Sequence, residues 1–149
     1  MNTKETGAVQ KITAGVVILI GCLVLLGWIY DITLLKTVLP NAISMKANTA
    51  VSFVFLGIAF LIYKTKYRII SIIFSIFIIL LGFFSIIQYY TGWQLGIDEL
   101  LFRDIGSALT TYPGRMAIIT GFNFSLLGIV IILLIKKVAK LSDIILSTI

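Results

Sequence analysis

Tyr112 to Gly128 reads YPGRMAIITGFNFSLLG, and a thinner copy, MKANTAVSFVFLG, runs from Met45 to Gly57. With Met45 set on Met116, Thr49 falls on Thr120, Phe53 on Phe124 and Gly57 on Gly128 without a gap. Thr, Phe and Gly thus recur at every fourth residue, the spacing that puts side chains on one face of a helix. Pro40 and Pro113 stand ahead of the two copies. The pattern reads as one unit used twice: a turn, a polar helix entry, then an apolar helix with one face kept for packing. Two apolar helices in a chain rich in Ile, Leu and Phe also share letters by chance, so the repeat is an expectation to set against the fold.

Composition places the unit in a membrane. The chain has 149 residues, of which 60% are hydrophobic and 12% charged, and its mean hydropathy is +1.13. Soluble domains carry roughly 45–50% apolar and about 25% charged residues. A net charge of +6 suits either nucleic acid or the cytoplasmic ends of membrane spans, where Lys and Arg collect; no nucleic-acid partner is expected. Cys22 is the single cysteine and there is no His, so an intrachain disulfide, the usual zinc sites and axial-His haem sites are unavailable. There is no phosphate-binding GxxxxGK loop and no Ser-His-Asp set. No catalytic centre, cofactor or metal is expected.

Four membrane helices are expected, at about 12–30, 48–63, 69–89 and 116–135, in one domain of two tandem two-helix units. Residues 1–11 read as a polar tail. The first apolar run is long enough to span a bilayer, longer than a signal-peptide core, and ends in Trp28 and Tyr30, as interfacial anchors do. Asp31 is placed to cap a short amphipathic helix carrying Leu34, Leu35, Val38 and Leu39. The second span is short, so Lys46 or Lys64 is expected to snorkel to water. Leu80-Leu-Gly82-Phe in the third span echoes Leu25-Leu-Gly27-Trp in the first. From Ile97, Leu100, Leu101, Ile105, Ala108 and Leu109 follow a helical period, with Asp98 and Glu99 where a helix N-terminus favours acids. A second surface helix is expected there. Val138, Leu141, Ile145 and Thr148 have heptad spacing, which suits a cytoplasmic helix start over 138–149 and a homodimer.

Charge sets the expected topology. Eight of the twelve Lys and Arg lie in the N-tail, the Lys64–Arg68 turn and the C-tail, and four of the six acids lie in the other two connections. The positive-inside rule then puts both termini in the cytoplasm of a cell-membrane protein.

Polar groups within the spans are few and uncharged, so no proton relay or ion path stands out. Ser71 with Ser75, and Gly121 with Ser125, are small pairs that let helices approach. Thr49, Phe53, Gly57, Thr120, Phe124 and Gly128 are the expected packing face. On the outward side, Asn48, Thr49, Gln88, Trp93, Asp98, Arg103, Asp104 and Arg115 are the candidates for sensing or ligand binding. Aromatics with both charge signs suit a small amphiphile, a quinone head or a lipid. Interfacial anchoring, with Arg103 and Arg115 on phosphates, explains the same residues. Met45 and Met116 stand at matched helix entries but lack the Cys or His that a soft-metal site would add.

Two segments carry a resemblance: YYTGWQLGIDELLF, Tyr89 to Phe102, and YPGRMAIITGFNFSLLG. They resemble the amino-terminal membrane region of many bacterial and archaeal sensor histidine kinases and diguanylate cyclases, usually ahead of PAS domains. Met45, Asn48-Thr49-Ala50, Phe53 and Gly57 are similar to an earlier motif of those regions. Where they favour Thr-Ala-Leu-Asn-Phe, this chain has Thr120-Gly-Phe-Asn123-Phe124. The resemblance implies an input domain that relays a membrane or extracytoplasmic cue through the fourth helix to a kinase or cyclase, in cis or as a partner. Any enzymatic activity would belong to that effector, in a reading frame expected to continue past Ile149. The alternative is a free-standing membrane protein, a transporter subunit or lipid-binding scaffold.

Overall fold

The computed structural model describes residues 3–37, 43–104 and 111–147. Among them the chain is all helix and turn, with no strand. The helices are α1 (Thr3–Ile29), α2 (Thr33–Lys36), α3 (Ala47–Ile62), α4 (Arg68–Thr91) and α5 (Ile118–Ser147). Three segments are long and apolar enough to cross a membrane: Glu5–Ile29, Arg68–Thr91 and Ile118–Lys140. The fourth apolar helix, α3, has 16 residues and is about 24 Å long, against about 30 Å of bilayer hydrocarbon.

The burial pattern is inverted relative to that of a water-soluble bundle. α4 buries Ser71, Ser75, Ser85 and Gln88 together with Ile78 and Gly82, while Ile69, Ile73, Ile76, Leu80 and Phe83 face outward. Only 28% of its most apolar window is buried, and 22% of that of α1. Outer faces of Ile, Leu and Phe over small buried residues are compatible with an apolar surround such as a bilayer. Two of the core serines satisfy themselves on backbone: Ser71 Oγ donates to the Ala59 carbonyl of α3 at 2.8 Å and Ser75 Oγ to that of Ser71 at 2.8 Å, whereas Ser85 Oγ has no partner among the described residues.

α1 packs on α3, α4 packs on α5, and α3 joins the two pairs, chiefly through α4; α1 touches neither α4 nor α5 among the described residues. Both pairs close on glycine. A Cβ on Gly21 would fall 2.7 Å from the Ala50 carbonyl oxygen, and one on Gly57 3.0 Å from that of Ala14. In the second pair, Gly82 abuts the Gly121 carbonyl, and a Cβ on Gly128 would fall 2.8 Å from that of Ser75. At the offset that sets Met45 on Met116, Ala50 becomes Gly121 and Gly57 becomes Gly128. A second common offset carries Ala14 to Ser75 and Gly21 to Gly82. The seam partner of Gly82 is therefore Gly21, not the Gly27 suggested by the Leu-Leu-Gly echo; Gly27 packs on Leu35 and Lys36 instead.

Several local expectations need correction. Helix α1 begins at Thr3, so the polar tail is helical. Asp31 does not cap a helix: it takes a left-handed φ of 54° just past α1, and Ile32 N–H returns to the Gly27 carbonyl at 2.9 Å. The amphipathic helix expected after it is the single turn α2, whose N-cap is Ile32; Val38 and Leu39 lie outside the described residues. Residues 97–104 are not helical, because Asp98 and Asp104 are spent on ion pairs and Glu99 on the Asp104 N–H, 2.9 Å away. Residues 105–110 lie outside the described part. Gly92 ends α4 with a left-handed φ of 71°, the usual helix stop. α5 continues without a break to Ser147.

Candidate functional site

The end of the bundle opposite the Lys64–Arg68 turn holds two buried ion pairs. Arg115, three residues before α5, is 5% exposed. Its Nε donates to Asp98 Oδ2 at 2.7 Å, and its terminal nitrogens reach the Gln88 and Trp93 carbonyls at 3.4 Å. The guanidinium lies 4.3 Å from the Tyr112 ring centre and 5.2 Å from that of Tyr89, an arrangement in which the ring faces attract the cation. Gln88, fully buried, braces the same carboxylate: its Nε2 donates to Asp98 Oδ1 at 3.1 Å and its Oε1 accepts from Leu95 N–H at 2.9 Å.

The second pair joins Lys46 to Asp104, Nζ to Oδ2 at 2.5 Å, with side chains 5% and 4% exposed. A lysine just before a helix N-terminus opposes the macrodipole, so the aspartate compensates both the charge and the helix end. Gly114 N–H donates to the same Oδ2 at 3.0 Å. Gly114 holds φ at 70°, and a Cβ there would fall 2.5 Å from the Asp98 carbonyl oxygen, so no larger residue fits the turn. Burial pushes the Asp104 carboxyl up, but the Lys46 hydrogen bond, the Gly114 N–H and the charges of Lys46 and Lys36 outweigh it and hold the carboxyl below its ordinary value. A third pair, Lys36 Nζ with Asp31 Oδ1 at 2.5 Å, is exposed on the Asp31 side. The Lys36 hydrogen bond, then its charge, lowers the Asp31 carboxyl.

Beside these pairs lies a cleft of about 990 Å³. It occupies the space where α1 and α5 do not touch, over the face of α3. Ile20, Leu23 and Val24 of α1, Phe53 of α3, and Phe124 and Leu127 of α5 form its apolar walls. Lys36, Lys46, Thr49, Tyr89, Tyr112 and Arg115 form its polar end.

The structure brings together Gln88, Asp98 and Arg115, with Trp93, itself 60% exposed, contributing its backbone carbonyl. Asp104 belongs to the neighbouring pair with Lys46. Thr49 lines the cleft. Asn48 is buried and does not line it; its Oδ1 accepts from Thr49 N–H at 2.8 Å and its Nδ2 has no partner. Arg103 is exposed and stands apart. Thr49, Phe53, Thr120 and Phe124 face the cleft, and the rings of Phe53 and Phe124 meet edge to face at 5.2 Å. Gly57 and Gly128 turn instead to α1 and α4, since each four-residue step overshoots a 3.6-residue turn by about 40°. Lys46 is buried and does not reach water, whereas Lys64, the other lysine expected to do so, is exposed. Lys46 is the member of the site that the sequence reading misses, although a cation directly before the N-terminus of an apolar helix marks it. Tyr89 and Tyr112 are not among the candidates read from the sequence. Met45 and Met116 both line the cleft.

No protein-family model, curated protein or solved structure matches this chain.

Proposed function

We propose that the chain is the membrane-embedded input module of a signal-transduction protein. Its four apolar helices cross the cell membrane with both termini in the cytoplasm, and the Arg115 end faces outward. α5 relays the state of that end to a kinase or cyclase, in cis or as a partner, and the module works as a homodimer. The inverted burial of α4 and the cationic Lys64–Arg68 turn support insertion in this sense. One observation carries the relay: Arg115, at the entry to α5, is held by the connection that precedes it, through Asp98 and the Gln88 and Trp93 carbonyls. The two segments that carry the kinase and cyclase resemblance thus meet in one ion pair. A change in the outer connection pulls directly on the helix that leads inward.

The test uses single cysteines in a Cys22→Ala background. On intact cells an impermeant maleimide should label Trp93→Cys and spare Lys66→Cys. Spin labels at Lys66 and Lys137 then report the position of α5 in nanodiscs. Asp98→Ala should shift their distance distribution while helical content is kept. An unchanged distribution returns Arg115 to simple anchoring and favours a lipid-binding scaffold with no relay.

A further inference from the structure

We propose that the cleft between α1 and α5 binds a neutral membrane amphiphile with a flat, carbonyl-bearing head and an apolar tail, the chemistry of a membrane quinone. The inference rests on the insertion proposed above, because the tail must enter from the bilayer. Its volume of about 990 Å³ lies at the upper end of the roughly 300–1,000 Å³ of ligand pockets. The apolar walls run along α1, α3 and α5 from the polar end inward, as a tail requires.

The head chemistry follows from the charges. Lys36, Lys46 and Arg115 line the polar end and, among the described residues, no carboxylate does. Yet each cation already has one aspartate behind it: Asp31, Asp104 and Asp98. The lining therefore offers hydrogen-bond donors without net charge. Arg115 uses three N–H groups on protein acceptors of the five a guanidinium carries. A phosphate head would bring charge with no free cation to match it, at a high desolvation cost. Carbonyl oxygens accept from such donors with no charge of their own. Phe53, Phe124, Tyr89 and Tyr112 supply ring faces and edges for a flat head to pack on.

Trp28 reports on the site, because its Nε1 donates to the carbonyl of Met45 and Lys36 lies over its ring, both cleft residues. The assay uses the full chain with Trp93→Phe, so that Trp28 is the only tryptophan, in phosphatidylcholine nanodiscs. Decylubiquinone should quench Trp28 saturably. Thr120→Phe fills the cleft without touching an ion pair and should move the midpoint about tenfold or more. Linear quenching that is equal with and without Thr120→Phe means the quinone only dissolves in the lipid, and overturns the proposal. Displacement of the quinone by added phosphatidylglycerol means the head is a phosphate, and overturns it too. The cysteine labelling on intact cells described above separates failure of insertion from failure of binding.

Discussion

Removing both charges of the Lys46–Asp104 pair should cost clearly less than the sum of removing each alone. At 2.5 Å and an effective dielectric near 20, the gross attraction is about 7 kcal/mol. Desolvation of two buried ions offsets most of it, so the net contribution is small while an uncompensated partner is costly. Lys46→Met leaves the Asp104 carboxylate 4% exposed, with the Gly114 N–H as its donor, and should destabilise by about 3–5 kcal/mol. Asp104→Asn keeps an acceptor for both Lys46 and Gly114 and should cost about 1.5–3 kcal/mol, the value of a charge-assisted hydrogen bond. The double variant leaves no buried charge, so the two losses should fail to add by about 2–3 kcal/mol. Stepwise SDS unfolding from mild micelles, followed by the fluorescence of Trp28 and Trp93, measures all four proteins. A coupling below about 0.5 kcal/mol is the value of an exposed pair. That result would refute both the burial of this pair and its role in fixing the connection to α3.

Acid should separate the same variants. Asp104 is held below its ordinary value, so its contribution is complete above the unfolded carboxyl range, about 3.9, and is lost only as pH falls through the lower folded value. In Lys46→Met burial dominates and the shift reverses, so the deficit of that variant should shrink between pH 7 and pH 4; a constant deficit contradicts the assignment. On the helix seams, Gly82→Leu and Gly57→Leu should lower the melting temperature in detergent, because neighbouring backbone already fills the space. Gly15→Ala, with nothing near it, should be neutral or raise stability by up to about 1 kcal/mol; equal effects at all three positions would dismiss the seams.

The apolar helices and their order were legible because each stretch is long and uninterrupted. Which faces pack was much less so. Helices with Ile, Leu and Phe on every side carry a weak period, and the packing signal sits in a few small residues. Gly82 was noticed through a letter match to Gly27, whereas the backbone matches it to Gly21. The connections misled for another reason. Asp31, Asp98 and Asp104 are all good helix caps by propensity, and each is taken instead by a cation at longer range. Lys46 and Asp104 are 58 residues apart, a pairing that no local rule anticipates. Asp98 and Arg115 were legible as members of one outward cluster because they sit in the two motif segments, but their direct bond and the role of Tyr112 needed the fold.

The repeat explains why the cleft exists. In a bundle of two like units, α3 meets α4 and α1 should meet α5 in the same way. Phe53 touches its own counterpart Phe124, as residues near a twofold axis do. Only one of the two equivalent seams is closed. Between α3 and α4, Phe55 stacks on Phe74 at 4.5 Å and Ser71 bonds across to Ala59. The residues that correspond to Phe55, Phe74 and Ser71 in the other seam are Leu126, Thr13 and Gln10. No aromatic stack forms there, Leu126 and Thr13 are exposed, and Gln10 turns to the Phe60 carbonyl of α3 at 2.7 Å. Neither of these two contacts forms at the seam between α1 and α5, and the cleft lies farther along it, beside Arg115 and Lys46. The open seam runs on to the cleft, and one of the helices that border it is α5, the one tied to the outer connection through Arg115.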